Sequence, residues 1–219
     1  MSSAMVVSYD MRRFKFVEIM RCEIVMLTKI RYGNTNTVLI KGDKGSILID
    51  TDYAGTMPSF YKTIKSLGIK VSDISYVLAT HYHPDHIGLI SELMSQGVKL
   101  IIMESQTDFV HYSDGIFEKE SYLGYKPIDE SKARVIPFEN SRDFLKGLGI
   151  EGEIIPTPSH SKDSISVLLD DGTFVVGDLE PLEYLEAYED NEKLRVDWDT
   201  LLRADPKRII YAHANEKLF

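Results

Sequence analysis

The histidines of this chain are concentrated in one short segment. Of the six histidines, three lie in the stretch His81-Tyr82-His83-Pro84-Asp85-His86, and His160 and His213 each follow a predicted strand. Neutral imidazole nitrogens and carboxylate oxygens are ligands with which proteins bind zinc and related divalent cations. His81 and His83 are two residues apart, so their rings can converge on one ion, while Asp85 and His86 can face a second. The pattern predicts a metal site.

The ligand types restrict the identity of the metal only loosely. The chain has one cysteine, Cys22, so sulfur ligands contribute little to selectivity. Imidazole and carboxylate ligands suit zinc, and they also tolerate iron or manganese. Asp178 ends a hydrophobic predicted strand with a carboxylate, and an acidic group at such a strand end can bridge two cations. We therefore predict two divalent metal ions, with zinc as the preferred identity.

Strands and helices must alternate along the chain to position these ligands. β-branched and aromatic density predicts strands at residues 14–27, 38–40, 47–49, 74–79, 98–103, 133–138, 153–156, 165–169, 173–176 and 208–211. Apolar spacing and end signals predict helices at residues 56–67, 88–96, 105–125 and 191–203. The segment Asp170-Asp171-Gly172 predicts a hairpin turn.

Composition indicates a single globular domain over residues 1–219, and residues 1 to about 10 are compatible with a disordered tail. The formal net charge of -9 argues against a nucleic-acid partner and favours a small-molecule substrate.

No apolar run approaches the ~20 residues that span a bilayer, and the N-terminus lacks the charged and then apolar residues of a signal peptide. Cys22 is predicted to be a small buried residue in a strand, and a lone cysteine cannot form an internal disulfide. We expect a cytoplasmic protein without a membrane partner, and a homodimer is compatible with the sequence.

The motifs, taken together and in order, resemble those of the metallo-β-lactamase superfamily, and in particular its small uncharacterised bacterial hydrolases. The resemblance extends over residues 50–213 and rests on four motifs: His81-x-His83-x-Asp85-His86-x-Gly88, Thr157-Pro158-Ser159-His160-Ser161, Gly177-Asp178 and Ala212-His213. A full ordered set is far more specific than any one motif. The resemblance implies an α+β fold, a four-layer αββα sandwich of two mixed β-sheets flanked by helices, with the metals at one edge.

The resemblance also implies the role of each residue. The implied ligands are His81, His83 and His160 for one metal, Asp85, His86 and His213 for the other, and Asp178 bridging both. Asp50 matches the superfamily's first acidic motif and would orient a ligand histidine from behind it; the alternative is a turn or helix-capping carboxylate. Asp85 and Asp178 are the candidate catalytic residues, because either carboxylate can receive or hold a proton of the attacking water.

The sequence departs from the family pattern at two positions. Ser159 stands where glycine usually precedes the histidine of the third motif, so the local turn is expected to differ. Asp178 replaces the cysteine found in the zinc β-lactamases that open antibiotics, which argues against β-lactamase activity. The residues after His213 are too few for the glutathione-binding domain of glyoxalase II, and the long insertions of the nucleic-acid-cutting branches are missing.

These expectations lead to one preferred function and two alternatives. A dinuclear hydrolase would use a metal-bridged hydroxide to cleave an ester, lactone, thioester or related bond, because two cations lower the pKa of a water molecule to about 7. The first alternative is an iron-dependent oxidoreductase on the same fold, although its flavin-linked branch normally has glutamate in place of His83. The second is a non-catalytic metal-binding module, since a fold does not determine a function.

Substrate contacts are expected on loops around the metals, because specificity in such folds depends on loops. The candidates are Tyr32, Asn34, Tyr82, Glu180 and Tyr184. Tyr82 lies between two predicted ligands and either contacts substrate or packs beside the site. The acidic and aromatic residues 179–190 form a lid, a dimer surface or a solvated helix face, and these alternatives stay open. His111 matches no motif and is predicted to lie at the surface or the edge of the core.

Overall fold

Two mixed β-sheets form the centre of the protein. The computed structural model describes residues 25–187 and 191–219. The first sheet contains β1 (Met26–Arg31), β2 (Asn36–Lys41), β3 (Ser46–Ile49), β4 (Tyr76–Leu78), β5 (Lys99–Met103) and β6 (Arg134–Ile136), in that spatial order. The pairs from β1 to β3 are antiparallel and those from β3 to β6 are parallel.

The second sheet is built from the C-terminal half of the chain. It contains β7 (Gly152–Pro156), β8 (Ile165–Leu169), β9 (Thr173–Val175), β10 (Arg208–Ile210) and β11 (Lys217–Leu218), in the spatial order β11-β10-β9-β8-β7. The pair β9 and β10 is parallel, whereas the other pairs are antiparallel. Both sheets are therefore mixed, as expected for this fold class.

Six α-helices connect and cover the strands within the described residues. They are α1 (Met57–Ser66), α2 (Pro84–Ile87), α3 (Ile90–Ser95), α4 (Asp114–Lys119), α5 (Ser141–Gly147) and α6 (Glu192–Arg203). None of them is long and apolar enough to cross a membrane.

The buried side chains form separate layers, because successive side chains along each strand point to opposite faces of the sheet. On β2, Leu39 packs with Phe60 of α1, whereas its neighbours Val38 and Ile40 point to the other face and pack with Val167 of β8. On β8, the alternating residue Leu168 packs with Trp198 of α6. Because successive strand residues face opposite sides, each sheet buries one face against the other sheet and one against helices. The result is the predicted four-layer αββα sandwich.

Most predicted elements are present, with shifted ends. The predicted helix at 105–125 is wrong as a continuous element: the chain forms a 3₁₀ segment, Glu104–Phe109, then α4 and a 3₁₀ turn, Ser121–Leu123. The cause is tertiary, because Gln106 donates hydrogen bonds to backbone carbonyls of Ala79 and Thr80, and the hydroxyl of Ser113 donates to the carbonyl of Tyr82.

Other differences are smaller. The elements α5 and β11 were not predicted, and α2 forms one helical turn where a loop was expected, because Pro84 presets the first helical position. Cys22, the suggested tail and residues 14–24 of the strand predicted at residues 14–27 lie outside the described residues. The rest of that strand covers only the first two residues of β1.

Gly88 shows how closely the loops above the sheets pack. A Cβ atom added to Gly88 would lie 2.1 Å from the backbone nitrogen of Ala54 and 2.3 Å from the carbonyl carbon of Tyr53. We expect Gly88→Ala to lower the free energy of unfolding by about 2 to 4 kcal/mol, because backbone atoms must move to admit the methyl group. Denaturant titration of the metal-free protein measures this loss.

Gly115→Ala is the matched control. It lies in α4, and an added Cβ would meet nothing within 4 Å. We expect this variant to stay within about 1 kcal/mol of the parent, since alanine favours a helix. Equal unfolding free energies for the two variants would contradict the steric explanation.

Candidate metal centre

The predicted ligands come together at one edge of the sandwich. His81 and His83 lie in the loop that follows β4, and Asp85 and His86 lie in α2. The remaining three come from the second sheet: His160 lies between β7 and β8, Asp178 follows β9 and His213 follows β10. The site therefore joins loops of both sheets.

The first group of ligand atoms contains three imidazoles and one carboxylate. Nε2 of His81 and Nε2 of His160 lie 3.0 Å and 3.2 Å from Nδ1 of His83. Oδ2 of Asp178 lies 3.8 Å from Nε2 of His81 and 3.6 Å from Nε2 of His160. With metal–nitrogen bonds of ~2.0–2.1 Å, neighbouring ligand atoms of a tetrahedral site are about 3.4 Å apart. The spacing of the four atoms is therefore suitable for one cation.

The second group lies on the other side of the same carboxylate. Oδ2 of Asp85 lies 3.1 Å from Nε2 of His213, and Oδ1 of Asp85 lies 3.9 Å from Nε2 of His86. Oδ1 of Asp178 lies 3.3 Å from Nε2 of both His86 and His213. The two oxygens of Asp178 thus face different groups, which is the arrangement that a bridging ligand requires.

Two buried atoms of this site lack hydrogen bonds. They are Nε2 of His86 and Oδ1 of Asp178, which lie near each other without bonding. A buried polar atom without a partner costs about 1–3 kcal/mol. Burial, together with the neighbouring imidazoles of His86 and His83, also holds the pKa of His81 below its usual value. Neutral imidazole is the form that binds metals, so the residues present fit divalent cations.

Asp50 lies behind the second group. Its Oδ2 accepts a hydrogen bond from the hydroxyl of Thr80 at 2.9 Å and lies 3.0 Å from Nδ1 of His86. Its Oδ1 accepts a hydrogen bond from the backbone N–H of Thr80 at 2.6 Å. Its φ of 58° is a strained backbone conformation for a residue other than glycine. Burial disfavours a charged His86, but Asp50 and Asp178 outweigh it and raise the pKa of His86 to about 10.

The loop that carries Asp178 depends on a glycine. Gly177 has a φ of 57°, and an added Cβ would lie 2.4 Å from the hydroxyl oxygen of Thr80. Glycine therefore lets the chain turn at the end of β9 directly against the loop of His81. This close approach brings the carboxylate between the two groups of imidazoles.

The turn between β1 and β2 positions His213. Nδ1 of His213 lies 3.3 Å from the carbonyl oxygen of Asn34, which leaves Nε2 to face the site. The backbone N–H of Asn36 donates to the carbonyl of Ala212 at 2.8 Å, and its side-chain amide donates to the carbonyl of Tyr211 at 2.9 Å. These bonds join the first sheet to the loop of His213.

Two buried carboxylates hold the loop of His160, and sequence reasoning missed both. Asp163 accepts hydrogen bonds from the backbone N–H of Tyr82 at 2.7 Å and from the hydroxyl of Ser161 at 2.8 Å. Asp197 accepts from the backbone N–H of Ser159 at 2.8 Å. Asp197 shares the buried face of α6 with Leu194, Trp198 and Leu201. The available signal in the sequence was the position of Asp197 on the otherwise apolar face of the predicted helix, which indicates a buried hydrogen-bond acceptor.

Asp85 and Asp178 are ionised at neutral pH, because the pKa of each is lowered. Burial opposes the ionisation of Asp85, but its hydrogen bond with His213 and the charge of His86 outweigh this effect and lower the pKa of Asp85 to about 2. Burial of Asp178 is likewise outweighed by His86, which lowers its pKa. Burial lowers the pKa of His160, whereas the hydrogen bond with Asp85 raises that of His213.

The predicted substrate residues do not all reach the site. Glu180 and Tyr184 line a cavity of about 330 Å³ together with His160, Asp178 and His213. Asn34 is exposed and approaches His213 through its backbone carbonyl. His111, as predicted, is exposed, and it pairs with Asp114 at 2.8 Å.

Tyr82 packs in the core, which was one of the two alternatives predicted for it, and Tyr32 is partly buried. Tyr82 is fully buried in the hydrophobic core, so its side chain packs there and is not accessible to a substrate. The hydroxyl of Tyr32 accepts a hydrogen bond from the backbone N–H of Asp52, and its ring packs on Phe60. For Tyr82, apolar packing outweighs its position between two predicted ligands in the sequence.

Curated relatives are similar to this chain over much of its length. A metallo-beta-lactamase fold-containing protein of Sulfurisphaera tokodaii is 29% identical over 147 residues, which are 61% of this chain and 52% of that protein. A beta-lactamase-like protein 2 homolog of Drosophila melanogaster is 25% identical over 181 residues, 83% of this chain and 59% of that protein. The chain thus matches little more than half the length of these relatives.

Solved structures share the fold. A metallo-beta-lactamase family protein from Thermus thermophilus superposes with a TM-score of 0.63 at 18% identity, covering 89% of this chain and 74% of that one. An archaeal metallo-beta-lactamase superfamily protein from Sulfolobus tokodaii gives a TM-score of 0.62 at 23% identity, covering 89% and 82%. The family model described as the metallo-beta-lactamase superfamily matches residues 30–213, most of the chain. The protein therefore belongs to the metallo-beta-lactamase superfamily.

Proposed function

We propose that this protein is a dinuclear metal-dependent hydrolase that cleaves an ester, lactone, thioester or related bond of a small molecule, with zinc as the preferred metal. The observation that carries this proposal is the placement of the Asp178 carboxylate, whose two oxygens face separate groups of ligand atoms. His81, His83 and His160 would hold one cation, and Asp85, His86 and His213 the other.

Two bound cations supply the chemistry that these side chains lack. When bound, they would lower the pKa of a water molecule to about 7 and polarise a carbonyl or phosphoryl oxygen. Such a site needs no serine or cysteine nucleophile. The protein's own contribution is to hold the ligands, to orient the water and to admit the substrate.

The exposure of the ligands determines the direction from which substrate arrives. His81 and His86 are fully buried, whereas the side chains of Asp85, His160 and His213 are 35%, 27% and 36% exposed. Substrate therefore approaches the edge formed by these three residues.

Asp85 is suited to orient the attacking water. Its pKa of about 2 means that it stays ionised at neutral pH and accepts a hydrogen bond without retaining the proton. Asp178 is more enclosed than Asp85 and lies between the imidazoles. We therefore assign to Asp85 the orientation of the attacking water by a hydrogen bond at the open edge, and to Asp178 the bridging role.

Metal content provides the first test. We expect two metal ions per chain by elemental analysis, and about one in the variants His81→Ala and His213→Ala, because each removes a ligand from a different group. Hydrolysis in a screen of esters, lactones, thioesters and phosphodiesters should fall at least about a hundredfold in both variants, since both cations act on the reacting atoms.

His111→Ala is the control for these variants, because this exposed histidine belongs to neither group. It should keep both metal ions and full turnover. Unchanged metal content and turnover in His81→Ala or His213→Ala would rule out the assignment. Iron as the dominant metal, with a visible absorption band, would favour the oxidoreductase instead.

The contact between Asp50 and His86 provides a second test. We expect Asp50→Asn to weaken metal binding by about 10-fold to 100-fold, because the neutral amide no longer favours the orientation of His86 that presents Nε2 to the cation. Asparagine tolerates the left-handed backbone conformation of this position, so the fold should persist. Competition with a chromophoric chelator measures the affinity, and an affinity equal to that of the parent would exclude this role.

Asp197 provides a third test, because it acts on His160 only through the backbone of Ser159. We expect Asp197→Ala to weaken binding of one of the two metal ions by about tenfold and to destabilise the fold by about 1–3 kcal/mol, since the N–H of Ser159 loses its buried acceptor. Asp197→Asn retains an acceptor oxygen and should restore most of the affinity. Asp199→Ala, on the exposed face of the same helix, is the control. Loss of affinity in Asp199→Ala equal to that in Asp197→Ala would contradict a specific effect on the loop of His160.

A further inference from the structure

An exposed tyrosine lies against one of the candidate metal ligands. The ring of Tyr112 lies 5.8 Å from the ring of His83, measured between centroids, and the two ring planes are tilted by 36°. His83 faces His81 and His160 through Nδ1, so one imidazole ring separates Tyr112 from the first group of ligand atoms. Tyr112 is 63% exposed, and a ligand bound at the metal centre can therefore touch its ring.

Tyr112 lies on a different flank of the centre from the cavity of about 330 Å³. That cavity is lined by His160, Asp178 and His213, whereas neither His83 nor Tyr112 lines it. A substrate has a part on each side of the bond that is cleaved, and the two parts extend from the reacting atoms in different directions. When one part enters the cavity, the other can extend along His83 to Tyr112.

The backbone around Tyr112 is fixed, although the side chain is exposed. Ser113 is fully buried, and its hydroxyl donates a hydrogen bond to the carbonyl of Tyr82 at 2.6 Å. The backbone N–H of Tyr112 donates to the carbonyl of Phe109 at 2.8 Å. The ring is thus attached to the ligand loop that follows β4. Packing on a ring that is held in this way costs little conformational entropy.

A second contact holds the other end of this segment. The hydroxyl of Tyr53 donates a hydrogen bond to a carboxylate oxygen of Glu120 at 2.6 Å. The ring of Tyr53 also packs edge-on against the buried ring of Phe117 in α4, with the centroids 5.2 Å apart. Residues 112–120 are therefore anchored at both ends, and Tyr112 belongs to a fixed wall beside the centre.

The face of an aromatic ring is the chemistry that Tyr112 offers to a ligand. An apolar group that covers this ring removes apolar surface from water. A planar aromatic group gains about twofold to tenfold more in affinity, because two aromatic rings pack favourably in offset or edge-to-face arrangements. The cations of the proposed function do not determine this choice, since neutral aromatic and neutral aliphatic groups carry no net charge for them to attract.

We propose that Tyr112 forms a substrate subsite beside the first group of ligand atoms, and that this subsite binds a neutral planar group, such as an aryl ring, attached next to the bond that is cleaved. The inference rests on the proposed function, because it assigns a substrate class to the same metal centre. It also defines Tyr112 as a specificity-determining residue, whose ring and not its hydroxyl makes the contact.

Ligands that share one metal-binding group test this subsite without turnover. We would measure the affinity of the metal-loaded protein for benzohydroxamate and cyclohexanecarbohydroxamate by calorimetry. The hydroxamate group coordinates the cations in both compounds, and both tails are neutral rings of six carbon atoms, of which only one is planar. We expect benzohydroxamate to bind about fivefold more tightly. Equal affinities, or a preference for the cyclohexyl compound, would overturn the inference.

Two variants at the same position separate the ring from the hydroxyl. Tyr112→Ala should reduce the preference for the aryl compound to less than about twofold, whereas Tyr112→Phe should keep it, because the contact uses the ring. The two hydroxamates are the same in every variant, so a change in the ratio of their affinities reports the effect of residue 112. A ratio in Tyr112→Ala equal to that of the parent would overturn the inference.

Tyr122→Ala is the matched control. Tyr122 lies on the same stretch of chain and is 81% exposed, and within the described residues its ring contacts no histidine of the metal centre. This variant should keep the ratio of the parent. Competition with a chromophoric chelator should show unchanged metal affinity in Tyr112→Ala. A loss of metal affinity that weakens both hydroxamates equally would mean that the ring only supports His83, and would contradict a subsite.

This design separates the two proposals. If no compound of the hydrolysis screen is cleaved, the proposed function fails, while the hydroxamate ratios still decide whether the subsite exists. If the ratio is the same in the parent and in Tyr112→Ala, the inference is wrong even when an ester is hydrolysed. A chain that binds no metal would overturn both proposals.

Discussion

The position of the Asp178 carboxylate is the constraint on which the rest of this structure depends. One of its oxygens faces His81 and His160, and the other faces His86 and His213 at 3.3 Å. So many imidazoles and carboxylates are costly to collect in a partly buried space unless cations satisfy them. The imidazoles and carboxylates are therefore explained best as one set of metal ligands. Each surrounding loop holds one of them close to the Asp178 carboxylate.

The loops are held by buried polar side chains and not by the ligands themselves. Asp50 connects the end of β3 to Thr80, Asp163 connects the loops of His81 and His160, and Asn36 connects the first sheet to the loop of His213. Each makes hydrogen bonds to backbone atoms of a segment distant in sequence, so a loop cannot move without breaking buried bonds. Such support fixes ligand geometry before a metal binds, which couples metal affinity to the stability of the fold.

The two sides of the centre differ in exposure, and this difference gives the site a direction. The side of His81 and His86 is closed by the core, whereas the side of His160 and His213 opens into the cavity beneath residues 179–184. Helix α6 supports both parts of the open side, because Asp197 bonds the loop of His160 and Trp198 bonds the carbonyl of Glu180. Adjacent residues of one helix thus support both the loop of His160 and the segment that begins at Glu180.

Local patterns in the amino-acid sequence were enough to predict the candidate ligands, their order and most of the elements that carry them. Apolar residues recur with a short period along a strand or a helix, and this period can be seen in the sequence. For this reason five elements were predicted close to their observed bounds: β2, β3, β8, α1 and α6. Three features could not be predicted in this way: which oxygen of Asp178 faces which histidine, the enclosure of Tyr82 in the core, and the hydrogen bonds of Asp163 and Asp197 to the loop of His160 and its neighbours. These features depend on strand register and on packing between residues far apart in the chain, and local periodicity carries no information about either.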